Sequence, residues 1–221
     1  MSTLLLRLAA PLQAWGADSK FDIRLTEKEP TKSGVVGLLA AALGIRRDDT
    51  EALKALSCLR FGVRVDREGR LLHDFHTAHS VKSAYVTHRY YLSDAVFLCG
   101  LESQDTALLH RLAEALTHPA FPLFLGRRSC PPTLPLALGI REKSLDEALK
   151  EEPALTDNTD VMRVMIESSD AADALVRDVP VSFSPYRREF RFRRQHEELL
   201  DRKSGQTEHD AFAELEAEKC T

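Results

Sequence analysis

The chain has 221 residues, 43 % of them hydrophobic and 29 % charged, the proportions of a folded domain large enough to bury its own core. Collagen-like, disordered and bilayer-spanning classes are excluded, because the longest apolar run, Gly34 to Ile45, is short and interrupted by glycines. The net charge of -4 is unevenly placed: the last 25 residues hold eight acids against Arg202, Lys203 and Lys219, leaving 27 basic and 26 acidic residues elsewhere, so the overall charge does not exclude an RNA partner.

Met1 to Gln13 lacks the basic start and long apolar stretch of a signal peptide, so a cytoplasmic location is expected. Within it, Leu-rich Ser2 to Ala9, closed by Pro11, reads as a buried strand. Thr31 to Gly44 reads as a helix, with a Thr cap after Pro30 and a glycine stop. Asp48-Asp49-Thr50 caps a second short helix, Glu51 to Leu56. Arg60 to Asp66 alternates Phe61, Val63 and Val65 with Arg60, Arg64 and Asp66, and the turn Arg67-Glu68-Gly69-Arg70 predicts that Leu71 to His76 returns as its hairpin partner. Polar Thr77 to His88 predicts a protruding arm, after which Tyr90 to Leu101 regains strand composition.

Ser103 opens a helix with Leu108, Leu109, Leu112, Ala115 and Leu116 on one face, closing near Pro119. A proline-broken loop through Gly126 to Pro132 leads to a short helix around Leu145 to Lys150. Val161 to Glu167 and Glu189 to Arg193 read as later strands, and Thr207 to Lys219 as an exposed acidic helix or a frayed tail. The succession strand, helix, strand, strand, helix, strand predicts an α+β fold of the ferredoxin-like or RNA-recognition-motif kind, an antiparallel sheet backed by helices. The expected division is a ferredoxin-like RNA-binding domain over 1–140 with a β-hairpin thumb at about 77–90, C-terminal strands packed on the body over 141–200, and an acidic tail over 201–221.

Cys58, Cys99, Cys130 and Cys220 form no C-x-x-C pair, so neither a zinc site nor a disulfide framework is expected. His73, His76 and His79 are spaced by three, but on a strand His73 and His76 point to opposite faces and cannot share an ion. Trp15, the single tryptophan, suits either a stacked RNA base or an anchor for its loop. Pro30-Thr31-Lys32-Ser33-Gly34 opens a helix with free N–H groups, hydroxyls and a lysine; it suits either a phosphate or a simple N-cap, and it is not a Walker loop. Lys82, Tyr85, His88, Arg89, Tyr90 and Tyr91 interleave bases and aromatics on or beside the arm, a composition for single-stranded RNA or for an ordinary solvated hairpin. Tyr186 to Arg194 is a stronger block of the same kind, fitting RNA or an acidic protein partner.

Six segments in order carry a resemblance: Leu8-Ala9-Ala10-Pro11-Leu12-Gln13-Ala14-Trp15-Gly16, Pro30-Thr31-Lys32-Ser33-Gly34-Val35-Val36-Gly37-Leu38-Leu39, Leu43-Gly44-Ile45-Arg46-Arg47-Asp48-Asp49, Asp74-Phe75-His76-Thr77, Arg89-Tyr90-Tyr91-Leu92-Ser93-Asp94-Ala95 and Leu125-Gly126-Arg127-Arg128-Ser129-Cys130-Pro131. Over Met1 to Gly139 the chain closely resembles the type I-E branch of the fifth CRISPR-associated protein family, subunits of the Cascade surveillance complex. The resemblance implies a non-catalytic subunit in antiviral defence that grips the 5′ handle of CRISPR RNA, caps the CasC backbone and neighbours the large subunit CasA, with no cofactor or metal. It implies an RNA-binding set of Gln13, Trp15, Lys32, Ser33, His76, Lys82, His88, Arg89, Tyr90, Arg127 and Arg128. Type I-C relatives cleave RNA without metal through a Tyr, Lys and His set that finds no matching motif here. An endoribonuclease of that kind, or a protein-interaction module without RNA contact, are the alternatives.

Overall fold

A computed structural model describes residues 1–16, 22–79, 84–157, 161–184 and 188–201. The chain runs β1 (Ser2–Ala9), β2 (Leu12–Gln13), β3 (Ile23–Arg24), α1 (Lys32–Leu43), α2 (Thr50–Ser57), β4 (Arg60–Arg67), β5 (Arg70–His79), β6 (Ala84–Ser93), β7 (Val96–Ser103), α3 (Thr106–Thr117), β8 (Ala137–Arg141), α4 (Leu145–Glu151), β9 (Val161–Ser168), β10 (Ala174–Phe183) and β11 (Arg188–Asp201). The helices begin and end where local chemistry dictates. Thr31 accepts from the Gly34 N–H at 3.2 Å to start α1, and Gly44 at φ 74° ends it. Asp49 and Asp105 cap α2 and α3, and Ser144 and Glu147 form a reciprocal capping box on α4.

Seven strands form one antiparallel sheet in the order β10-β11-β9-β4-β7-β1-β8. One side carries the larger core, where Leu4, Leu6, Leu8, Phe61, Val63, Val65, Phe97 and Cys99 meet α1 and α3. On the other side Leu5, Leu98, Val164 and Ile166 meet Leu145, Ala148 and Leu149 of α4. Successive side chains of β1 therefore enter two different cores, which is why its sequence is a continuous leucine run. Helix α4 seats closely because Gly62 and Gly100, cross-strand partners, leave room for it: a Cβ there would lie 2.8 Å from Leu149 and 2.5 Å from Leu145. Below that seat Arg64 and Asp66 form a fully buried ion pair at 2.7 Å, and the Arg64 guanidinium also donates to the carbonyls of Leu149, Glu152 and Pro153.

Here the sequence expectation is corrected. Strands β4 and β5 do not form a hairpin: β4 lies between β7 and β9, while β5 pairs with β6 in a second sheet. Both sides of β4 are buried, its charged side being covered by α4 and the segment after it, so it takes a central place. The turn at Gly69 (φ 74°), with Arg67 Nε held by the Asp94 carbonyl at 2.6 Å, carries the chain out of the large sheet rather than back along it. In the second sheet β5 pairs along one edge of β6, and β2 and β3 pair along the other. Strand β10, absent from the sequence reading, is the edge of the large sheet. Among the described residues no helix is long and apolar enough to cross a membrane.

Candidate nucleic-acid interface

The β5–β6 hairpin presents two unlike sides. Register sets His73 opposite Tyr90 and Phe75 opposite His88, while Asp74 faces Arg89 and His76 faces Thr87 on the reverse. His73 stacks on Tyr90 with ring centroids 4.6 Å apart and on His88 at 5.1 Å, and its Nε2 shares a hydrogen bond of 2.9 Å with His88 Nδ1. Phe75, 66 % exposed, extends this aromatic layer. On the reverse, His76 Nε2 pairs with Asp74 at 3.0 Å. Among the described residues the buried Nε of Arg89 has no hydrogen-bond partner. His73 and His76 point to opposite sides, as the strand spacing requires, and among the described residues no group of three or more His, Cys, Asp or Glu is placed to hold a metal ion.

Arg127 fixes the root of this hairpin. Gly126 has φ 84° and lies so close to Ala14 that a Cβ would come 1.6 Å from its carbonyl oxygen, and the Ala14 N–H donates to Leu125 at 3.1 Å. The resulting turn aims the Arg127 guanidinium at the carbonyls of Tyr90 (3.0 Å), Arg24 (2.8 Å) and Leu25 (3.2 Å), and over the Tyr91 ring. Beside it, burial pushes the Cys130 thiol above its ordinary range, so this cysteine is a packing residue.

Five of the positions expected to contact RNA are engaged by partners within the fold. Gln13 is buried; its amide donates to Ala95 at 2.7 Å and Leu8 at 3.3 Å, and its oxygen accepts from the Trp15 indole at 3.0 Å. Trp15 is 1 % exposed and packs on Gly34, so its faces are already covered and the anchor reading fits the geometry. Lys32 is buried, its Nζ 2.7 Å from Glu167 and its backbone N–H 2.8 Å from Asp178. Asp178, held in turn by Arg193 at 2.7 and 3.0 Å, is thus the anion at the start of α1. Ser33 is buried with its hydroxyl 3.4 Å from Thr31, and Arg127 is occupied as described. On the hairpin, His88 and Tyr90 lie on the aromatic side with His73, and His76 and Arg89 lie on the reverse. Arg128 is exposed beside its root, and Lys82 lies outside the described residues.

The family model for CRISPR-associated proteins of the Cas5 type matches residues 3–196. The chain is 41 % identical over 163 residues to the CRISPR system Cascade subunit CasD of Escherichia coli (strain K12), covering 65 % of this chain and 73 % of that one. A crystal structure of a Cas protein superposes with a TM-score of 0.71 at 45 % identity, over 90 % of this chain and 95 % of the other. A chain of a CRISPR RNA-guided surveillance complex superposes with a TM-score of 0.77 at 31 % identity, over 90 % of each. A match across both cores, the hairpin and the later strands is that of a whole fold: the chain belongs to the Cas5 family of CRISPR-associated proteins.

Proposed function

We propose that this protein is a non-catalytic subunit of a type I-E Cascade complex that holds the 5′ handle of CRISPR RNA and caps the CasC backbone beside CasA, in antiviral defence in the cytoplasm. The observation that carries the reading is the likeness over nine-tenths of the chain to a subunit of a CRISPR RNA-guided surveillance complex. In this reading β4, β7, β1 and β8 with α1 and α3 form a ferredoxin-like unit over 1–140, the β5–β6 hairpin is its thumb, β9 to β11 are the C-terminal addition over 141–200, and 201–221 is the acidic tail.

The RNA contacts fall on the hairpin and its root, at His76, Lys82, His88, Arg89, Tyr90 and Arg128. Gln13, Trp15, Lys32, Ser33 and Arg127 act by positioning that surface. The stacked planes of His73, Tyr90 and His88 on one side of the hairpin suit an unpaired base, and the Arg89 guanidinium on the reverse suits a phosphate. A lysine at position 89 would supply the charge without the plane.

Assembly with CasC and CRISPR RNA, followed by chemical probing of the handle, tests this. Arg89→Ala should lose protection of the handle, and Arg89→Lys should keep non-specific affinity while losing the ordered handle. Equal protection in wild type and both variants would refute the assignment. Repeat RNA incubated with the protein in EDTA should stay intact; cleavage would favour the endoribonuclease reading.

A further inference from the structure

Helix α4 covers its side of the large sheet over β1, β7, β4 and β9, and reaches β11 through the Lys150–Glu198 pair at 2.6 Å. Alternation along β11 places Arg188, Phe190, Phe192 and Arg194 on that same side, ahead of Glu198 and beyond the helix. Arg193 takes the opposite side, pairing with Asp178 and lying 5.1 Å over the Phe61 ring. Register brings Arg177 of β10 beside Phe192, and Leu175 beside Arg194. Phe192 is 63 % exposed and Leu175 60 % exposed. The Arg177 guanidinium carbon stands 6.0 Å from the Phe192 ring centroid. Among the described residues Arg177 and Arg188 have no carboxylate partner, and Arg194 donates to the carbonyls of Ala171 and Asp173.

Here one guanidinium, that of Arg177, stands over an exposed phenyl plane, and Arg188 and Arg194 share its side of the strand. Cations flanking an aromatic face match a strand that alternates phosphates with flat bases. We infer that this side of β10–β11 is a second RNA-contacting surface, on which single-stranded RNA lays a base over Phe192 and its phosphates against Arg177, Arg188 and Arg194. The inference rests on the reading above only in that the protein works in a particle containing RNA. With its arginines against phosphates and a phenyl ring under a base, this surface binds without regard to sequence.

The full-length protein and a labelled oligouridine lacking any handle sequence test it. Phe192→Ala should weaken binding by about tenfold, the scale of one stacked base, while Phe192→Tyr retains it. Arg177→Gln should weaken binding and lower the logarithmic salt slope by about 0.7, the value for one phosphate on a single strand. If Phe192→Ala and Arg177→Gln, both folded by circular dichroism, bind oligouridine like wild type with unchanged salt slope, the inference is overturned; a face built for an acidic protein segment gives that result. A loss seen only with Arg89→Ala, the Phe192 and Arg177 variants binding like wild type, would also overturn it. Handle protection in the assembled complex reports on Arg89 separately, so failure of either assignment leaves the other standing.

Discussion

The guanidinium of Arg127 lies 4.6 Å from the centroid of the Tyr91 ring while it donates to the carbonyls flanking that contact, at Tyr90, Arg24 and Leu25. One side chain thereby pins β3, β6 and the loop after α3 at the root of the hairpin. The relationship makes Arg127 and Arg128 separable although they are neighbours in sequence.

Arg127→Lys should lower stability by about 1–3 kcal/mol, because a lysine cannot serve three carbonyls and stack at once. Amide exchange should quicken in β3 and β6. Arg128→Ala should leave both stability and exchange unchanged. Comparing the two by thermal unfolding and hydrogen exchange decides whether the pair acts as a structural clamp plus a surface charge.

Gly126 and Gly37 should respond oppositely to alanine. At Gly126 the new Cβ meets the Ala14 oxygen and a positive φ, so Gly126→Ala should fail to fold or yield a protein with a displaced hairpin root. At Gly37, inside α1, a Cβ meets nothing within 4 Å, and Gly37→Ala should raise stability by about 0.5–1 kcal/mol. Denaturation midpoints of the two variants check this.

The buried pair Arg64–Asp66 should be costly to halve. Asp66→Ala leaves an uncompensated cation and should cost about 3–5 kcal/mol. Replacing both residues by Met and Leu should restore only part of that loss, since the carbonyls of Leu149, Glu152 and Pro153 would then lack the donor that closes the end of α4. A double-mutant cycle in urea measures the difference.

His196 gives a pH signature. Its hydrogen bond to Asp173 raises its pKa above the ordinary 6.5, helped by Glu198 and opposed by Lys150. Hydrogen bonds from Ser168 and then His196 lower the Asp173 pKa below 3.8. The histidine contribution is complete below pH 6.5 and fades as pH rises through the raised value. That of the aspartate is complete above 3.8 and fades as pH falls through the lowered one. The pair should therefore help most in weakly acidic solution, and Asp173→Asn should destabilise the protein more at pH 5.5 than at pH 8.5. A His196 titration by NMR that stays unchanged in Asp173→Asn would count against the pairing.

How much of this was legible depended on how local the signal was. The caps at Thr31, Asp49 and Ser144 and the glycine stop at Gly44 act within one helical turn, so α1, α2 and α4 lay close to their expected spans. The alternation of Arg60 to Asp66 also gave a strand, but periodicity does not name a neighbour, and the ring of carbonyls around Arg64 comes from α4 and the residues after it. On the charged face of β4, Arg64 and Asp66 are fully buried. β10 escaped notice because bulges at Asp178 and Val181 break its alternation. The phosphate reading of the α1 start missed Asp178, more than a hundred residues distant in sequence, and nothing within the segment could have shown it.

Arg67 at the end of β4 and Val96 at the start of β7 are direct partners, so the whole excursion from Glu68 to Ala95 leaves and re-enters the large sheet at one point. To the seven-stranded ladder, the hairpin is topologically a loop. Residues can be gained or lost at its tip without altering the register of any core strand pair, whereas one residue added within β1, paired on both edges, would shift two ladders together. Reach and stability are therefore free to change independently in this architecture: the length of the hairpin can drift while the body that carries it stays fixed.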